Sequence, residues 1–369
     1  VSATLVEPSS VPPARRLLGT LLRSREMAVL TVLLLLVALT TASSSSFLFS
    51  SGGWRDLLLT PSILLVLAVG QTAVIVTRNV DLSVGSTLGL TAYLVGKVFL
   101  AYPGIPVVLV FVIGLAFGAA LGLVNGVLVA FGKVPALVIT LGTLYIYRGI
   151  FLTWAGSDRI NASDLPSGFL ALGTRQVLSI PVLILIAAVA LVVVGYYLHT
   201  ARGGRELYAI GSDPDAATLY GLKVNRRVLA AFVLCGALAG LAGVFYAARY
   251  GSISSGAGRD IELQAVGAAV IGGVAIFGGS GTVWGAAIGA FLLVTINRAL
   301  PVLGISDFWQ RAVVGALILL AIVLDRVLLL RQERRLVAAR DEAPPGGPGP
   351  GPGSSPGPHD PSDRTQVTA

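Results

Sequence analysis

Residues 57–86 read LLLTPSILLVLAVGQTAVIVTRNVDLSVGS. Twenty-one uncharged residues, Leu57 to Thr77, run into Arg78, Asn79 and Asp81, and a second apolar stretch follows at once. A bilayer core ~30 Å thick takes ~20 apolar residues of helix, at ~1.5 Å each. The first run is that long. Other uncharged runs cover 27–51, 98–132, 176–198, 228–248 and 263–297, and two of these are long enough for more than one crossing. With 55% hydrophobic and 12% charged residues and a mean hydropathy of +0.85, the chain lies outside the range of soluble proteins. The fold class is an all-α polytopic membrane protein.

Breaking the runs at charges, prolines and glycine clusters gives about ten crossings: 27–47, 57–77, 82–100, 106–130, 134–152, 177–198, 228–248, 263–276, 283–297 and 308–324. The eighth and ninth are short and joined by FGGSGT, which allows half-helices or tilted segments there and a count of eight or nine. The segment from Met27 has the outline of a signal peptide but is read as the first crossing. The domains that follow are a tail at 1–26, a transmembrane domain at 27–325 and a tail at 326–369. Beyond about residue 341 the Pro/Gly/Ser tract cannot build a core, and disorder is expected there.

Orientation follows from the basic residues. With both termini cytoplasmic, inner segments hold Arg15, Arg16, Arg23, Arg25, Arg78 and Lys133. The loop 199–227 adds five more, and Arg326, Arg331, Arg334, Arg335 and Arg340 complete sixteen. Outer segments hold six: Arg55, Arg159, Arg175, Arg249, Arg259 and Arg298. That bias obeys the positive-inside rule and places loop 199–227 in the cytoplasm. It also accounts for the +8 net charge without nucleic acid as a partner.

Glycines recur every fourth residue at 114, 118, 122 and 126, at 281, 285 and 289, and at 236 and 240. In lipid, close backbone approach along such faces drives helix pairing, so these mark packed surfaces.

Several chemistries find no support. Gly132-Lys133 lacks the earlier glycine of a phosphate-binding loop, so no ATP site is expected in this chain. GGSG at 278–281 matches an intramembrane serine protease pattern, but the two histidines, His199 and His359, sit at a membrane boundary and in the tail. A turn is the plainer reading. The acidic residues Asp56, Asp81, Glu262, Asp307 and Asp325 fall near segment ends, which speaks against an ion-coupled secondary sugar carrier. No metal-binding pattern is evident, and Cys235 is read as a small buried residue.

The most informative stretch is HTARGGRELYAIGSDPDAATLYGLKVNRR at 199–227. Asp213 or Asp215 caps a short helix through Ala216, Ala217, Leu219 and Tyr220, ended by Gly221. Such a helix suits docking into a groove on a partner protein.

GRELYAIGSDPDAATLYGLKV resembles the coupling segment of the ribose-type branch of ATP-binding-cassette (ABC) importer permeases. TRNVDLSVGS at 77–86, NGVLVAFGKVPALVITLGTLYIYRGI at 125–150 and ELQAVGAAVIGGVAIFGGSGTVWGAAIGA at 262–290 resemble the same family in the same order. Within it, TLGTLYIYRGI and LPVLGISDFWQ are most similar to permeases for L-rhamnose or autoinducer-2, ahead of those for ribose, xylose or galactose. The family often has glycine where Asn79 and Ser212 stand here. The resemblance implies a second permease subunit, identical or a sister, and an extracytoplasmic sugar-binding protein. ATP and Mg would be held by a partner ATPase, with no cofactor on this chain. It implies a coupling set of Gly204, Arg205, Tyr208, Ala209, Gly211, Ala216, Ala217 and Gly221, Gly211 permitting a turn before the docking helix.

Neutral sugars need hydrogen bonds rather than charge, which points to Gln71, Asn79, Asn125, Gln264 and Asn297, each also able to tie helices together. Asp81, Ser83 and Gly85 belong to the turn at 78–86. It is read as an inner turn with Arg78 facing the cytoplasm and Asp81 or Ser83 capping the next helix. The alternative is that it dips into the membrane to line a pathway.

Overall fold

The computed structural model describes residues 25–50, 52–132, 134–306 and scattered positions between 308 and 323. They belong to one compact unit, Val1–Ile322; a second unit, Val323–Ala369, falls almost wholly outside them. Most of the N-terminal tail, Lys133, Asp307, the tail at 326–369 with His359 and much of the tenth expected crossing therefore lie outside the described residues.

Among the described residues, eight helical segments are long and apolar enough to cross a membrane: Glu26–Ser43, Gly53–Ile75, Val84–Ala101, Val107–Gly132, Ala136–Ala155, Val182–Thr200, Val224–Tyr250 and Val283–Val302. The helices are α1 (Arg25–Ser43), α2 (Ser46–Phe49), α3 (Gly53–Leu59), α4 (Pro61–Ile75), α5 (Val84–Ala101), α6 (Val107–Gly132) and α7 (Ala136–Ala155). Then come α8 (Ser167–Thr174), α9 (Val182–Thr200), α10 (Arg202–Ser212), α11 (Pro214–Leu219), α12 (Val224–Tyr250), α13 (Ile261–Ile271) and α14 (Val283–Val302). Among the described residues the only strands are Gln176–Val177 and Ile180–Pro181, an antiparallel pair turned by Leu178 and Ser179, both at positive φ.

The core is built on α4, every residue of which is buried, and on α12, which packs against α4, α5 and α6. The α6–α12 contact is the glycine seam expected from spacing. A methyl group on Gly118 or Gly122 would overlap the carbonyls of Gly236 or Phe232, and one on Gly240 the carbonyl of Gly114. A second seam joins α13 to α14, where side chains on Gly285 and Gly289 would strike the backbone at Gly272 and Ala268. By contrast α6 and α7 turn Val108, Leu128, Tyr145 and Ile146 outward, as a lipid-facing surface requires.

The eighth expected crossing, 263–276, is a half-helix. At ~1.5 Å per residue α13 spans only about 16 Å. What precedes it is non-helical chain, mostly turns: Ile253 pairs with Ile160 near Gly96 of α5, Ala257 lies against Gly89, and Gly258 against Gly85. From Gly96 to Gly85 is also roughly 16 Å along α5. The segment 249–262, expected as an external loop, thus descends along α5 before α13 begins. Its glycines permit the close approach, and Arg148 of α7 satisfies the Ala257 and Gly258 carbonyls at 2.6 and 3.0 Å. Arg148 is a structural strut, which is how backbone outside a helix is tolerated at membrane depth.

Candidate functional site: a cavity and a capped helix at opposite ends of the bundle

The turn at 76–83 ends α4 and starts α5. The Arg78 amide donates to Ile75 O at 2.9 Å and the Asn79 amide to Val74 O at 3.4 Å, a Schellman closure with Arg78 at φ +64°. Asp81 is fully buried. Its Oδ1 accepts from the Ser83 amide at 2.9 Å, the Ser83 hydroxyl at 2.7 Å and Asn125 Nδ2 at 3.3 Å. Asn125 Nδ2 also donates to Ser83 Oγ at 2.7 Å, Gln71 Nε2 to Asp81 O, and Tyr147 Oη to Asn125 Oδ1 at 3.3 Å. The Asn79 side chain donates to Thr77 O and Thr77 Oγ1.

Arg78 is exposed, while the carboxylate of Asp81 beyond it is drawn into the bundle. Asp81 accepts from the amide of Ser83, the residue before α5, and the Ser83 side chain makes no cap to the helix. Gln71, Asp81, Ser83 and Asn125 are interhelical ties, and Gly85 is the contact point for the descending segment.

Gln264 and Asn297 are brought together elsewhere. They line a cavity of about 350 Å³ with Tyr246, Tyr250, Arg259 and Arg298, between α4, the end of α12, the descending segment, α13 and α14. The two tyrosine rings lie 4.6 Å apart. Asn297 Oδ1 is buried with no hydrogen-bond partner in the protein.

The sequence placed these arginines in separate outer segments and showed no cationic cluster. The structure gathers them. Arg249 donates to Thr60 Oγ1 at 2.8 Å and Arg298 to Gly53 O at 3.3 Å, while Arg55 reaches Gly173 O at 3.1 Å. Asp56 offsets Arg298, and Glu262 and Asp260 offset Arg148. No sequence signal joined residues 55, 249, 259 and 298, because their proximity is created by packing.

At the opposite end, loop 199–227 is two helices. Gly204 lets α10 fold tightly against Tyr197 and Leu198 at the end of α9. Glu206 accepts from Arg227 at 2.5 Å and Arg202 at 2.9 Å, which hold its carboxyl below the usual range. Tyr208 Oη donates to Gly281 O at 2.9 Å, and burial pushes its phenol up. Arg205 and Ala209 are exposed.

Gly211 lies inside α10, not at a turn. It is glycine because a side chain there would overlap Val76 O. The short helix α11 is capped as expected: Asp213 Oδ1 accepts from the Asp215 and Ala216 amides, both at 3.0 Å. Gly221, at φ +76°, closes its far end, with the Leu222 amide on Ala217 O. Ala217 faces inward at 4% exposure, whereas Leu219 and Tyr220 are 89% and 87% exposed. The outward face of α11 is therefore Leu219 and Tyr220, with Ala216 at its margin.

The family described as branched-chain amino acid transport system / permease component matches residues 55–322, which spans both the cavity and α11. This chain is a member of that permease family. A protein named autoinducer 2 import system permease protein LsrC from Salmonella paratyphi B is 39% identical over 286 residues, 77% of this chain and 82% of the relative. The proteins of the same name from Enterobacter sp. strain 638 and Escherichia coli K12 are 36% and 37% identical, covering 89% and 77% of this chain and 95% and 82% of the relatives. No solved structure matches it. The permease is a multi-pass protein of the bacterial inner membrane.

Proposed function

We propose that this permease is the membrane subunit of an ABC importer for a neutral, monosaccharide-sized solute, with L-rhamnose or autoinducer-2 favoured. The observation that carries the reading is α11, a helix capped at both ends that presents Leu219 and Tyr220 to solvent at the end of the molecule opposite the cavity. Exposed apolar pairs on an ordered helix fit a partner groove, here that of a cytoplasmic ATPase holding ATP and Mg. A second permease subunit and an extracytoplasmic binding protein complete the assembly. The relatives named as autoinducer 2 import permeases support the substrate class.

The cavity supports it in turn. Its volume falls in the range of small-molecule sites, roughly 300–1,000 Å³. Amide and guanidinium N–H groups serve sugar hydroxyls, tyrosine rings offer apolar faces, and nearby carboxylates balance the arginines. Replacing Gln264 or Asn297 with alanine is expected to lower uptake of labelled L-rhamnose or autoinducer-2 by about tenfold, at one strong hydrogen bond's worth of ~1.4 kcal/mol. Membrane levels should be unchanged. Cells that take up neither solute through the wild-type importer would remove the substrate assignment.

A further inference from the structure

Arg78 stands where glycine would be cheaper. A non-glycine residue at φ +64° carries a backbone cost, and such strain persists where the side chain is needed. Its side chain reaches across to the last carbonyls of α10: Nε donates to Gly211 O and Nη2 to Ser212 O, both at 2.6 Å. A guanidinium there satisfies orphan carbonyls and complements the helix dipole.

A third segment meets them. The Gly279 amide donates to Val76 O at 2.9 Å, so the end of α4 is capped by the glycine loop while the end of α10 is capped by Arg78. Gly278, at φ +83°, lies 3.0 Å from Gly211 O at its would-be Cβ, and Gly279, at φ +75°, lies 3.2 Å from Ser212 Cβ. The GGSG stretch thus has a physical role: only glycine fits where three backbones touch. Tyr208 adds a further tie from α10 to Gly281.

We propose that Arg78 clamps the end of α10 and the glycine loop 278–281 into one rigid joint that carries movement of the docking helix into two transmembrane elements. One is the α4–α5 turn, whose buried Asp81 network reaches α6 through Asn125. The other is the α13–α14 hairpin, which lines the outer cavity through Gln264 and Asn297. The joint is a positioning device and rests on the importer reading above.

Arg78→Gly tests it, because this variant relieves the backbone cost while removing the clamp. In vesicles holding the complete importer, thermal stability and ATPase co-purification should be retained or improved. Solute moved per ATP hydrolysed should fall about tenfold, within the 5–150-fold span of typical coupling energies. Arg78→Lys, which keeps a donor, should restore part of it. A second probe is hydrogen exchange at the Gly279 amide, which is bonded to Val76 O. A joint held by Arg78 predicts faster exchange there in Arg78→Gly than in the wild type, with Arg78→Lys in between. Normal transport per ATP in Arg78→Gly overturns the proposal, and so does unchanged exchange at Gly279. Absence of ATP-driven uptake in the wild type would instead fault the importer reading, and the exchange measurement would still report on the joint.

Discussion

At the residue scale, Asp81 shows how a charged group is held inside an apolar bundle. Among the described residues no basic side chain lies within hydrogen-bond reach of it; donors from Ser83, Asn125 and the peptide backbone take that place. Removing one donor exposes the cost of burial, because an unsatisfied buried polar group costs about 1–3 kcal/mol and more when charged. Asn125→Ala should therefore lower the unfolding temperature in detergent, and Asp81→Asn with Asn125→Ala should lose less than the sum of the two. Additive losses would mean that the two side chains act independently. The polar character of 78–86 was legible in the sequence because the charges interrupt an apolar run. The partner Asn125 was not, since it lies mid-helix, forty-four positions on, with only its residue type to mark it.

At the scale of elements, the long helices were legible because an apolar run of bilayer length leaves few alternatives. The half-helix α13 was legible as one alternative, because its apolar segment is short, but the course of the other half was not. Its missing half is GSISSGAG at 251–258, which reads as an external loop because glycine and serine carry no hydrophobic signal. Those glycines are placed there because α5 presents its own, and backbone meets backbone. The short helix α11 was legible from Asp213, Asp215 and Gly221, whose chemistry marks both its ends. Which face it offers was not, because a six-residue helix has too few positions to show a period. Ala217 packs inward and Leu219 outward. Leu219→Asp should therefore abolish capture of the ATPase from detergent extracts while leaving permease levels in the membrane unchanged. Ala217→Asp should instead reduce those levels, since it buries a charge in the permease itself. The opposite pattern would mean that α11 docks through its alanine face.

At the scale of the whole molecule, the account joins an outer cavity to an inner docking helix through helices tied by glycine seams. Nothing in the sequence marked the joint or the arginine cluster, since each is assembled from segments far apart in the chain. The central claim is that transport by this permease is driven from the docking helix rather than by an ion gradient. The direct test is uptake of labelled L-rhamnose or autoinducer-2 into vesicles holding the permease alone, or the permease with its ATPase and binding protein. The account predicts accumulation only in the second case and only with ATP inside the ATPase compartment. Accumulation by the permease alone under an imposed proton gradient would contradict it.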